Sequence, residues 1–194
     1  MDYWIVGELV KGPMDSSTTV DLPESVQFST DDFIDFCRRN PNKHIEQNAN
    51  GGVVVLALSG CECGRQNALV TGRLGEWSRS HGGIVLAHPG FRLPNGATRA
   101  PDSAWISQVK WDAVPEEERE KFPEMVPELV VEIVSPSDTL ERQVAKMEEY
   151  ATNGVLLGWL IIPKSREVRI YRAGAESAEV LSDPESVEAD DDQG

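Results

Sequence analysis

The sequence predicts an α/β domain with a central mixed β-sheet flanked by α-helices, and three observations predict it. Strand-length apolar runs and stretches with helical periodicity both occur along the chain. One run, Leu129–Val134, holds five apolar residues and a single glutamate, the pattern of a central strand covered on both faces. The order of elements is helix, hairpin, helix, several strands, helix and two strands.

Each element follows from local signals. A short strand is expected at Tyr3–Val6, within an N-terminal arm of residues 1–27 that shows weak periodicity. A helix begins near Ser29-Thr30-Asp31, buries Phe33, Ile34 and Phe36, and ends at Asn40-Pro41. His44–Glu46 and Val53–Leu58 flank the turn Asn48–Gly52, a hairpin signal. Residues 65–80 carry Leu69, Arg73/Leu74 and Trp77 at helical spacing, and Gly82-Gly83 closes them. Ile84–Ala87 reads as a strand, with Phe91–Leu93 expected to pair with it. Ser103–Ser107 follows Pro101 as another strand, and Val114–Lys121 as a charged surface helix. After Leu129–Val134 a helix starts near Asp138, whose spacing to Glu141 matches a capping box. Leu140, Val144, Met147 and Ala151 form its buried stripe, and Asn153-Gly154 stops it. Leu157–Ile162 and Val168–Tyr171 are strands joined by a turn at Pro163–Arg166. The domain is thus expected over residues 28–173, with a structureless tail over 174–194.

Composition narrows the function. The chain of 194 residues has a formal net charge of −15, adverse for general DNA binding, because phosphate partners favour basic surfaces. Eight acidic residues and no Lys or Arg fall between Ala175 and Gly194, which leaves 25 acids against 18 bases elsewhere. The body remains acidic, so a local basic groove is the most that DNA could find. No apolar run reaches the roughly 20 residues of a membrane span. Three cysteines and an N-terminus without a secretory pattern point to the cytoplasm. Cys61 and Cys63 sit closer than zinc-binding pairs usually do, and no second close pair accompanies them.

Glu132 is the most informative residue. A carboxylate in a covered strand is costly unless it is paired or metal-bound. It shares a face with Val130 and Val134 and lies near the strand end, where α/β sites form. A buried structural glutamate bonded to a backbone N–H or an arginine is an equally good reading of the strand by itself. Asp102 opens another strand; alone, it reads as a turn residue or cap. Two such acids on neighbouring strands would repel unless a cation joined them, and hard divalent ions prefer such oxygen ligands. Lys146 falls about 120° from the centre of the apolar stripe, with Gln143 and Tyr150 on the same flank. It could assist a phosphate reaction, or pair on the surface with Glu148 or Glu149.

Joined together, these pieces resemble a known family. The segments NPNKHIE, GCECGRQN, PD-S-A-W-I-S, PELVVEIVSPSD, KMEEY, NGVLLGWLIIP and EVRIYR are similar to the restriction-endonuclease-like family called Uma-two, within the PD-(D/E)xK superfamily, over residues 28–173. The resemblance implies a restriction-endonuclease-like fold, a Mg²⁺ or Mn²⁺ site and a homodimer. It maps metal-ligating acids onto Asp102 and Glu132, and a further acid near the metal onto Glu46. The superfamily lysine two residues after the second acid is replaced here by Val134; the family's helix-borne lysine corresponds to Lys146. Gln143 is a further candidate. Ile162 stands where the family commonly has Asp or Asn. The resulting expectation is a metal-dependent endodeoxyribonuclease with Asp102, Glu132 and Lys146 as catalytic residues. The alternatives are a non-catalytic dimer of the same fold that binds nucleic acid or a protein, and an accessory of a mobile element.

Overall fold

The computed structural model describes residues 4–5, 20–21, 28–41, 43–56 and 60–187. In chain order, the elements are β1 (Trp4–Ile5), β2 (Val20–Asp21), α1 (Thr30–Arg39), β3 (His44–Gln47), β4 (Val53–Leu56), α2 (Cys61–His81) and β5 (Ile84–Ala87). They continue with β6 (Phe91–Arg92), β7 (Thr98–Arg99), β8 (Ser103–Ile106), α3 (Gln108–Ala113), α4 (Glu116–Arg119), β9 (Leu129–Ile133) and α5 (Leu140–Thr152). The last are β10 (Leu157–Ile162), β11 (Glu167–Arg172), β12 (Glu179–Ser182) and β13 (Ser186–Val187). Most of the expected arm lies outside the described residues, as does the end of the expected second hairpin strand.

The main sheet has six strands in the order β12-β11-β10-β9-β8-β5. Only β9 and β10 run parallel; the other neighbours are antiparallel, so the sheet is mixed. The parallel pair is joined through α5, the crossover that such pairs need. Every residue of β9 is buried. Its alternate side chains feed two cores. Leu129, Val131 and Ile133 pack with Val70 and Leu74 of α2, Trp159 and Ile161. Val130 packs with Met147 and Tyr150 of α5, Leu160 and Ile162. Each of these fully buried apolar side chains contributes about 1.5–3 kcal/mol over exposure, so the strand is pinned from both faces. A second, wholly antiparallel sheet has the order β2-β4-β3-β7-β6.

Several elements depart from expectation, each for a local reason. β6 pairs with β7 and not with β5, because Pro94-Asn95-Gly96 turns the chain back, with Gly96 at φ 88. α2 starts four residues before the expected position; Glu62 bonds Arg65 in the added turn, where a carboxylate suits the helix dipole. α3 was not anticipated; Ser107 caps it by accepting from the Lys110 N–H. The surface helix expected over Val114–Lys121 is confined to α4. The capping box at Asp138 does not form. Thr139 is the N-cap of α5, while Asp138 accepts the backbone N–H and hydroxyl of Ser135. The expected structureless tail also needs correction. β12 extends the main sheet through β11, and β13 pairs with β1. Acid content concealed the short apolar pair Val180-Leu181, and Val187 is buried against the α2-side core. Residues 188–194 lie outside the described residues.

Candidate active site

Register assembles the first half of the site. The β8–β9 ladder pairs Ser103 with Val131, so its next step sets Asp102 across from Glu132. Directly opposed residues of an antiparallel pair share a face. Asp102 Oδ2 accepts the backbone N–H of Ile133 at 2.8 Å, and Oδ1 accepts Asn67 Nδ2 at 2.9 Å. The β5–β8 ladder extends the row by one residue. It pairs Ala87 with Ser103, and the His88 N–H bonds the Asp102 carbonyl at 3.1 Å. His88, just past the end of β5, and Asp102, just before β8, therefore line up with Glu132 of β9 in one row.

The second half comes from α5 and from the other sheet. Lys146 and Tyr150, one turn apart on α5, both reach Glu132 Oε1. The lysine Nζ lies at 2.7 Å and the tyrosine hydroxyl donates at 3.0 Å. The same Nζ lies 2.7 Å from Glu46 Oε1 on β3. That oxygen also accepts the Ala100 N–H at 3.1 Å, while Glu46 Oε2 faces Arg99 at 3.5 Å. Arg99 in turn binds Glu149 at 2.5 Å and Asn48 at 3.0 Å. Acidic and basic groups thus alternate along a chain: Glu149, Arg99, Glu46, Lys146, Glu132. His44, two residues before Glu46 on β3, packs its ring against His88 with centroids 5.2 Å apart.

The electrostatics are unbalanced. Asp102, Glu46, Glu132 and Glu149 are four carboxyl groups set against two fixed cations, Lys146 and Arg99. Burial pushes Glu132 up to about 8, with Asp102 and Glu46 adding to the rise and Lys146 opposing it. Glu46 resists its own burial and stays below the usual carboxylate range, held there by Lys146 and Arg99. Lys146 is burdened by burial but raised above its ordinary value by the two glutamates. Burial and Glu132 carry Tyr150 well upward, so it remains a hydrogen-bond donor. Burial and His88 lower His44, with Asp102 and Glu46 pulling the other way.

A divalent cation fits this deficit. The donor set is carboxylate oxygen, the excess is negative, and Asp102 and Glu132 are the neighbouring acids not tied to Arg99. Among the described residues, no three His, Cys, Asp or Glu side chains are already gathered around one ion position. Lys146, wedged between Glu46 and Glu132, takes up the space that would bring those acids together.

The structure brings together Asp102, Glu132, Lys146 and Glu46. Gln143 is buried one turn before Lys146, and its Oε1 has no partner among the described residues. Lys146 is largely shielded, and its ion-pair partners are Glu132 and Glu46, not the helix neighbours Glu148 or Glu149. Sequence reasoning assigned no role at this site to Arg99, Asn67 or the two histidines. Arg99 lies in a two-residue strand with no periodicity to mark it. His44 carried a signal, its two-residue spacing from Glu46, which places both on one face of β3.

Comparison with known proteins agrees with this architecture. The crystal structure described as a putative nuclease belonging to DUF820 from Anabaena variabilis ATCC 29413 superposes with a TM-score of 0.68 at 16% identity, covering 81% of this chain and 86% of that one. The fold is therefore restriction-endonuclease-like. The DrdV–DNA complex gives a TM-score of 0.42 at 14% identity over 61% of this chain and 10% of that one, too distant to carry an argument. No curated protein matches the chain. The family model described as "Putative restriction endonuclease", Uma2, matches residues 30–193, and the chain belongs to that family.

Proposed function

We propose that this protein is an endodeoxyribonuclease that hydrolyses phosphodiester bonds with a Mg²⁺ or Mn²⁺ ion held by Asp102 and Glu132. The observation that carries this reading is the placement of Asp102 beside Glu132 in one row, with Lys146 Nζ 2.7 Å from Glu132. When bound, the cation supplies Lewis acidity and an acidified water at neutral pH. The chain's own residues do the rest. Ile133 N–H and Asn67 hold the Asp102 carboxylate in a fixed orientation. Tyr150 holds Glu132 by its hydroxyl. Lys146, kept charged by Glu46, offers an N–H to the oxygen on which negative charge grows. Arg99 keeps Glu46 ionised and so keeps the lysine anchored.

A second reading is a non-catalytic member of the fold that binds nucleic acid or a protein partner, as a dimer or within a larger complex. The net charge of −15 favours it. Plasmid cleavage in Mg²⁺ or Mn²⁺ separates the two. Under the first reading wild type nicks or linearises the plasmid, while Asp102→Ala and Glu132→Ala do not. An inert wild type, or mutants that cut equally well, supports the second.

A further inference from the structure

Exposure along the row gives the site a direction. The side chains of Glu132 and Lys146 are 5% and 11% exposed, Asp102 19% and His88 35%, and His44 is open to solvent. A substrate entering from solvent therefore meets the histidine end before it reaches the lysine. Two of the chain's three histidines meet there, His44 at the start of β3 and His88 just past the end of β5.

His88 is oriented by its surroundings. Its backbone takes φ 50, a left-handed conformation that non-glycine residues seldom adopt and that clusters at functional sites. Its Nε2 lies 3.2 Å from Asn67 Nδ2 and 3.5 Å from Asp102 Oδ1. The Asn67 amide faces Asp102 through its N–H₂, since its oxygen there would oppose a carboxylate oxygen. The cost is visible: Asn67 is buried, and its Oδ1 has no partner among the described residues. With the amide so fixed, its N–H₂ faces both Asp102 Oδ1 and His88 Nε2, and Nδ1 is the His88 nitrogen not engaged by Asn67.

From this geometry we infer that His44 and His88 form a phosphate-contacting pair at the mouth of the site, donating N–H hydrogen bonds to a DNA phosphodiester and guiding it toward Asp102 and Lys146. This rests on the nuclease reading for its substrate. It also suits an acidic protein: at a mouth beside carboxylates, imidazole N–H groups recognise an anion without a large basic surface.

The test uses the full chain and a fluorescently labelled DNA duplex. Binding is read by anisotropy and cleavage by gel, in Mn²⁺. His44→Ala and His88→Ala are expected to weaken binding about tenfold each, the effect of losing one hydrogen bond to a charged acceptor, while in His44→Ala the Mn²⁺ affinity by calorimetry stays within about twofold. His88→Asn, which keeps a side-chain N–H donor, recovers part of the loss. A methylphosphonate scanned along the duplex weakens wild type at one position and leaves the double variant indifferent there. Unchanged affinity in His44→Ala, an exposed strand position that does not threaten folding, overturns the pair. So does a methylphosphonate profile shared by wild type and the double variant. A wild type that binds but does not cut overturns the nuclease reading and leaves the histidine comparison readable. A wild type that binds no DNA overturns both.

Discussion

Asp102 accepts the backbone N–H of Ile133 at 2.8 Å. One carboxylate is thereby locked to the residue immediately after the other, so the spacing of the acid pair is set by the sheet ladder and not by side-chain rotamers. Rearranging the acids would require breaking register, which in a strand buried on both faces would expose a whole set of apolar side chains.

The lysine is the most exacting member of the cluster for stability. Lys146→Met strands Glu46 in a buried position, with Arg99 as its remaining cation and the Ala100 N–H as a neutral donor. Breaking a buried pair in this way costs roughly 3–5 kcal/mol. We expect the lower part of that range, because Glu132, raised to about 8, already holds a proton at neutral pH and is not left as a second buried anion. Urea unfolding at neutral pH measures it. A loss below about 1 kcal/mol would show that the lysine is not a structural tie.

Glu132 makes stability fall with rising pH. Its folded value of about 8 lies above the ordinary carboxylate value, so between the two the native state holds a proton that the unfolded chain has released. The stabilisation from this group is complete at acid pH and is lost as pH climbs through 8. Glu132→Gln removes that slope, so the variant gains on wild type between about pH 5 and about pH 8. Glu46 acts in the opposite sense, with a lowered value whose contribution is lost as pH falls. Denaturant midpoints across this range decide the matter, and parallel curves for wild type and variant would refute it.

Divalent-ion binding should expel a proton. Near neutral pH Glu132 carries one, and a cation favours the ionised form. Titration calorimetry of Mg²⁺ or Mn²⁺ in two buffers of different ionisation enthalpy reads the release directly. Glu132→Gln should lose both the released proton and most of the affinity, while Asp102→Asn should lose affinity and, with one source of the Glu132 rise removed, release less of a proton at the same pH.

The C-terminal strands are part of the domain. Ending the chain after Gly174 uncovers the β11 edge and removes Val187 from the core. Val187→Ala alone should cost roughly 1–3 kcal/mol, measured by thermal unfolding. An unchanged melting temperature would place Val187 outside the cooperative unit.

Gly83 is the glycine least open to replacement. Its φ is 80, and an added Cβ would lie 2.6 Å from the Ile106 carbonyl oxygen and 2.5 Å from Trp105 Nε1. Gly83→Ala should destabilise by more than about 1 kcal/mol. In Gly158→Ala the added Cβ clashes only with the Met147 methyl, the end of a flexible side chain, and otherwise makes ordinary contacts with Tyr171 and Val130, so it should cost less. Paired melting curves test the order.

Much of the fold was legible because β9, α5, β10 and β11 obey their periodicities without conflict. Glu132 was legible for the opposite reason: it breaks the apolar run that surrounds it. Asp102 was harder, since its partner is chosen by cross-strand register, which a linear sequence does not display. Lys146 lies where a helical wheel leaves its environment open, and the family resemblance, not the wheel, pointed to it. Arg99 and Asn67 were invisible, because what they do depends on neighbours some fifty and thirty-five residues away. The tail was misread because net charge outweighed a two-residue apolar signal.

Glu46 belongs to a different hydrogen-bonded sheet from the acids it helps to serve. A folding intermediate holding only the larger sheet would already oppose Asp102 to Glu132, yet its lysine would have a single anchor and could swing away. Competence for chemistry would then arrive last, when the smaller sheet docks. Under the proposed nuclease function, a nascent or partly unfolded chain would thus be harmless to the nucleic acid around it.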